Sequence, residues 1–143
     1  MTTTRSSRVD AALLVLRLGL GGIMIAHGAQ KLFGFGFAGV TGAFTQMGIP
    51  APGIMGPFIA LLEFLAPIAL FLGLFTRLAA FGLMCDMLGA IFFVHMAGGF
   101  FAPKGIEFPL SLAIGFLALT LAGAGNMSID ARMAERHRGT GSM

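Results

Sequence analysis

AALLVLRLGLGGIMIAHGAQK, residues 11–31, is the stretch that decides the fold. At 1.5 Å per helical residue, roughly 20 residues cross a hydrocarbon core of about 30 Å. This run has that length and holds no acidic residue. Water cannot satisfy backbone amides at such a depth, so the chain must satisfy them within its own helix. Three more apolar stretches follow, at about 54–75, 78–97 and 108–124, the last short for a span. The expected architecture is all-α: a four-transmembrane-helix bundle forming a single membrane domain over residues 1–143.

Composition agrees. Hydrophobic residues make up 57% of the chain and charged residues 10%, against about 25% charged in a soluble domain. Between the first two stretches, residues 34–57 are rich in Gly, Pro and Phe, too broken for a span and too apolar for a solvated loop. They read as an interfacial segment with a short helix near 40–47 that caps the outer mouth of the bundle. The first stretch has the basic start and small residues (Ala26, Gly28) of a cleaved leader. Arg17 interrupts it and its length is that of a span, so it reads as a retained helix.

Charge sets the orientation. Arg5 and Arg8 precede the first stretch, Arg132, Arg136 and Arg138 follow the last, and Arg77 lies in the turn between the second and third. An even number of spans puts these on one side, leaving Lys31 and Lys104 on the other, and positive-inside bias then makes both termini cytoplasmic in a bacterial-type inner membrane. Trp and Tyr are absent, so the interfacial belt falls to Phe33, Phe35, Phe37, Phe100 and Phe101. The basic residues form tails and no stripe on one folded face, which argues against nucleic acid. Cys85 has no second cysteine for an internal disulfide or a CxxC pair, and reads as a small buried apolar residue.

Ionisable groups within membrane spans cost several kcal/mol on insertion scales and face protein or a cavity. Here they are Arg17, His27, Lys31, Glu63, Asp86, His95 and Glu107. At about 100° per residue, Arg17, Met24, His27 and Lys31 share one face of the first helix. Gly19, Gly22 and Ala26 form a small-residue stripe on nearly the opposite face, the candidate homodimer contact. Arg17 and Asp86 have similar depth and opposite sign, which favours a structural ion pair, with Arg17 and Glu63 as the rival. Lys31, His95 and Glu107 form a polar cluster toward the outer side, and Glu63 with His27 are the candidate proton-handling residues. Asp86 and His95 fall about 180° apart on an ideal helix, which favours two polar sites over one. Pro67 cannot donate to the carbonyl of Glu63, so a kink with a free carbonyl at mid-membrane is expected beside that carboxylate. The alternative is an ordinary packed kink with Glu63 paired to a basic neighbour. A bis-His haem would need His27 and His95 facing across a pocket. They form no local ligand motif, so neither haem nor metal is expected.

The chain resembles the DoxX family of small four-helix membrane proteins. The matching segments are Leu16-Arg17-Leu18-Gly19, the run from His27 to Gly34 (HGAQKLFG), Met47-Gly48-Ile49-Pro50, Glu63, the run from Gly73 to Ala80 (GLFTRLAA), Gly99-Phe100-Phe101, Gly105-Ile106-Glu107-Phe108-Pro109 and Ser128-Ile129-Asp130. Their order and spacing over about residues 11–131 make the set specific. The chain departs from the pattern at Ala66-Pro67, where a glycine pair is expected, and at Phe108, where a Tyr is expected. The resemblance implies a membrane component of quinone- or thiol-linked oxidoreductase systems handling sulfur or oxidative stress, with quinone as the candidate ligand and soluble redox enzymes as candidate partners. No complete catalytic motif is present, so two other classes stand beside it. One is a non-catalytic membrane scaffold for soluble redox enzymes, and the other a small-solute or ion transporter.

Overall fold

The computed structural model describes residues 6–140, and Arg5 lies outside them. Helix α1 (Ser7–Ala29) runs directly into a π-helical turn, Gln30–Phe35, and then α2 (Gly36–Gln46). Helix α3 spans Pro52–Leu72; α4 spans Thr76–Ala90 and continues through a π-helical turn, Ile91–His95, and a 3-10 turn, Met96–Gly98. Helices α5 (Glu107–Ala122) and α6 (Ile129–Thr140) complete the described chain. The runs Ser7–Gln46, Pro52–Leu72 and Thr76–Gly98 are long and apolar enough to cross a membrane. Helix α5, with 16 residues, extends roughly 24 Å at 1.5 Å per residue.

The four apolar helices close into a ring: α1 packs on α3, α3 on α4, α4 on α5, and α5 on α1. Leu13, Met24, Leu70, Leu83, Phe116 and Leu119 form its centre. The fold is the expected all-α membrane bundle, and the segment between the first two spans carries a helix, α2, that lies on α3. Val40 anchors it, and the backbone of Thr41 comes so close that a Cβ on Gly56 would meet it at 3.1 Å. The five belt phenylalanines, Phe33, Phe35, Phe37, Phe100 and Phe101, are all exposed.

Close approach within the bundle uses different glycines from those the angular reading selects. A Cβ on Gly21 would meet the Pro67 carbonyl at 3.2 Å, and one on Gly28 would collide with the backbone of Glu63 and Phe64. Helix α1 therefore presses its backbone onto α3 through Gly21 and Gly28, as small residues permit. Gly19 and Gly22 have open space beyond them, and Ala26 is exposed. The same contact corrects the expectation for Pro67. The Glu63 carbonyl, deprived of its helical donor, is covered by Gly28 and is not available to a ligand. Cys85 is also corrected: it is exposed on the outer face of α4, one position before the inward-turned Asp86.

Both ends of the described chain lie at one end of the bundle. Asp10 Oδ1 accepts from the Asn126 amide at 3.0 Å and Asp10 Oδ2 from Asn126 Nδ2 at 2.8 Å, tying α1 to the α5–α6 turn. We refer to this as the terminal end and to its opposite as the far end.

Candidate functional site

Arg17 belongs to the terminal end. It is 1% exposed, and its Nη2 donates to the Met127 carbonyl at 2.6 Å. Asp130 supplies the nearby negative charge. Gly73, at φ +70°, closes α3, and its missing side chain leaves room for the guanidinium beside Ser128. Asp130 also accepts from Phe75 N at 2.7 Å and Thr76 N at 2.9 Å, while its own amide donates to Gly73 O at 2.9 Å. An aspartate at a helix start satisfies otherwise unpaired amides and offsets the positive end of the helix dipole. Ser128 caps α6 in the same way, its hydroxyl accepting from Ala131 N at 3.1 Å. The expected ion pair between Arg17 and Asp86 is absent, and so is the rival with Glu63. Depth and sign suggested the pairing. In azimuth Arg17 faces the turn before α6, whereas Asp86 faces α3.

The charged group at the far end is built from three helices. Lys31, in the π-helical turn after α1, forms an ion pair with Glu63 of α3. Asp86 of α4 stands opposite, within electrostatic reach of both. Glu63 is 3% exposed and Asp86 9%. Glu63 Oε2 and Asp86 Oδ2 accept from no donor among the described residues, and the two carboxyl groups are close enough to share a proton. A buried polar atom left unpaired costs about 1–3 kcal/mol, more when charged. At the terminal end Arg17 Nε and Nη1 and Thr76 Oγ1 are unpaired among the described residues as well. What sets Glu63 and Asp86 apart is the open volume beside them. Glu63 thus has the basic neighbour that the packed-kink reading required, together with a free oxygen.

Two cavities flank the Lys31 and Glu63 pair. One, of about 130 Å³, reaches Asp86 and is otherwise walled by apolar side chains, with Phe44 of α2 and Ile49 closing it from outside. The other, of about 280 Å³, is lined by His27, His95, Met24 and Phe108 as well as Lys31 and Glu63. Asp86 and His95 therefore meet the same ion pair from different cavities. The π-helical turn over Ile91–His95 permits this, because its wider winding shifts the residues after it around the axis. A second π-helical turn carries Lys31. Neither turn was visible in the hydropathy pattern.

His95 Nδ1 lies 3.1 Å from the Lys104 carbonyl. A carbonyl only accepts, so Nδ1 is the donor and the other ring nitrogen of a neutral His95 is left as an acceptor. The His27 ring packs 6.0 Å from that of Phe108. Phe108 makes that wall apolar. Glu107 does not join the cluster expected with Lys31 and His95. Its carboxylate accepts from Ala102 N at 3.0 Å and shapes the loop before α5. Sequence reasoning missed the apolar walls and Asp10. In the sequence Asp130 stands only within the segment Ser128-Ile129-Asp130, which does not reveal its capping of α4.

The family model for DoxX matches residues 12–96. An uncharacterized membrane protein of Mycobacterium tuberculosis, Rv3486, is 30% identical over 142 residues, covering 92% of this chain and 86% of that protein. An uncharacterized protein of Haemophilus influenzae is 36% identical over 122 residues, covering 82% and 87%. The inner membrane protein YphA of Escherichia coli is 32% identical over 126 residues, covering 84% and 89%. No solved structure matches. The matched segment contains Arg17, His27, Lys31, Glu63, Asp86 and His95, and on these comparisons the chain belongs to the DoxX family.

Proposed function

We propose that this protein is the membrane subunit of a quinone- or thiol-linked oxidoreductase system for sulfur or oxidative-stress metabolism, with Glu63, Asp86 and Lys31 handling protons for a quinone ring held beside His27 and His95. The observation that carries this reading is the buried carboxyl pair of Glu63 and Asp86 beside one ammonium, with two cavities adjoining the Lys31 and Glu63 ion pair. A cavity of about 280 Å³ is at the small end of ligand sites and suits a single ring. Lys31 and His27 are placed to meet a ring oxygen, and the carboxyl pair to pass a proton. The balanced reaction is quinone plus dithiol giving quinol plus disulfide. Two electrons and two protons leave the thiols, and two of each arrive on the ring. The chain has one cysteine, so the dithiol belongs to a soluble redox partner or its substrate.

Inner-membrane placement with both termini cytoplasmic is part of the same proposal. It is supported by the E. coli relative's description and by the gathering of Arg8, Arg77, Arg132, Arg136 and Arg138 at the terminal end. The open Gly19, Gly22 and Ala26 face is the proposed homodimer contact. The two cavities meeting at one ion pair also favour a second reading, a small-solute or ion transporter gated by Lys31 and Glu63.

Titration of a short-chain quinone into the purified protein tests the first reading. Saturable binding is expected in the wild type, weakened at least about tenfold in Glu63→Gln and in His27→Ala. Unchanged binding in both variants removes the site. Flux of a solute through proteoliposomes, lost in Glu63→Gln without quinone binding in the wild type, would favour the transporter. Capture of soluble redox enzymes unaffected by Glu63→Gln would favour a scaffold.

A further inference from the structure

A separate pair of cavities starts at the terminal end and shares no lining residue with the proposed quinone site. The first, of about 640 Å³, opens between α6 and the turn joining α3 to α4. Arg77 and Arg138 both line it. Asp130, Ala134 and Arg138 follow one another at four-residue intervals, so a single face of α6 borders the space. Asp130 is the acidic residue in this wall; its oxygens accept from the amides of Phe75 and Thr76, and the buried Arg17 offsets its charge. The small side chains of Ala131 and Ala134 leave the volume open beneath the two arginines.

The second cavity, about 490 Å³, is an apolar groove along the α3 and α4 interface. It shares Phe75 and Leu78 with the first. From Phe58 to Ala69 on α3 the groove extends roughly 16 Å at 1.5 Å per residue, about the depth of one leaflet of a ~30 Å core. A cationic mouth where the helices begin and end, continuous with an apolar channel one leaflet deep, has the form of a phospholipid. Basic pockets between membrane helices are the places where anionic headgroups collect.

We infer that this is a binding site for an anionic phospholipid, its phosphate between Arg77 and Arg138 and an acyl chain in the groove passing Phe75 and Leu78. The occupant is a lipid of the surrounding bilayer, because the mouth and the groove are continuous and a free anion would use only the first. The site is independent of quinone binding at the far end.

Native mass spectrometry of the detergent-solubilised protein, offered equal phosphatidylglycerol and phosphatidylcholine, tests this. The wild type is expected to retain phosphatidylglycerol selectively. The Arg77→Gln/Arg138→Gln double variant should lose about tenfold or more of that retention, while Arg132→Gln, on the same helix but outside the cavity, keeps it. Arg138→Gln alone, at an exposed position, provides a variant with little risk to folding and should show a partial loss. Millimolar inorganic phosphate should not displace the lipid. Equal retention of both lipids, equal loss in Arg132→Gln and the double variant, or displacement by phosphate would overturn the assignment.

Discussion

Arg17 at the terminal end and Glu63 at the far end are both almost wholly buried in apolar helices, yet their surroundings have little in common. Around Arg17 the chain packs closely, although its Nε and Nη1 donate to nothing among the described residues. Met127 accepts from the guanidinium, Asp130 balances its charge while capping α4, and Gly73 and Ser128 pack against it. Around Glu63 the chain has left space. Two cavities adjoin the ion pair with Lys31, and the buried carboxyl groups of Glu63 and Asp86 border them. A charged residue inside a membrane span is a functional candidate by default. The comparison shows that the default must be checked against what the charge touches. Arg17 joins segments that must be held together, and Glu63 faces volume that something can enter.

The largest effect separating the two ends is expected at Gly73. A side chain there would occupy the position of the Arg17 guanidinium, and its φ of +70° is already unfavourable for other residues. Gly73→Val should destabilise the fold by about 3–5 kcal/mol, from backbone strain and overpacking together, read by thermal unfolding in detergent. A stable Gly73→Val protein would mean that the terminal end is looser than described. Asp130→Ala comes next. It strips two amides of a charged acceptor and Arg17 of a nearby charge, and should cost about 2–3 kcal/mol with no change in ligand binding at the far end.

Glu63→Gln should do the reverse. Asp86 remains as a counter-charge for Lys31, so the loss of stability should be within about 1 kcal/mol while quinone affinity falls. A large drop in unfolding temperature would move Glu63 into the same class as Arg17. Gly19→Leu should have the smallest effect on the fold, under about 0.5 kcal/mol, because nothing lies within 4 Å of the added carbon. If the stripe joins two copies, the same variant should dissociate them in light-scattering measurements. An unchanged mass would show that lipid covers that face.

Much of this was legible in the sequence. Apolar length gives the helices and hence an all-α bundle, because runs of about 20 apolar residues satisfy their backbone at that depth as helices. The order in which they neighbour one another was not legible. The buried charges were identifiable as a set, since few exist in so apolar a chain. Their partners were not. Arg17 and Asp86 match in depth and sign, but pairing requires the azimuth at which helices meet, and that is set by Gly21 and Gly28 pressing on α3. Lys31 and His95 depend on π-helical turns that shift the register by local winding, which an ideal 100° rotation cannot contain. Glu107 was grouped with the cluster by its depth toward the outer side, whereas its loop had a nearer amide to satisfy.

The division between a structural end and a working end is tested most directly by one paired measurement: thermal midpoint and quinone affinity, each determined for Glu63→Gln and for Asp130→Ala. The expected result is crossed, with affinity lost and midpoint kept in Glu63→Gln, and midpoint lowered with affinity kept in Asp130→Ala. Wild-type affinity in Glu63→Gln, or parallel losses of both quantities in both variants, would contradict it.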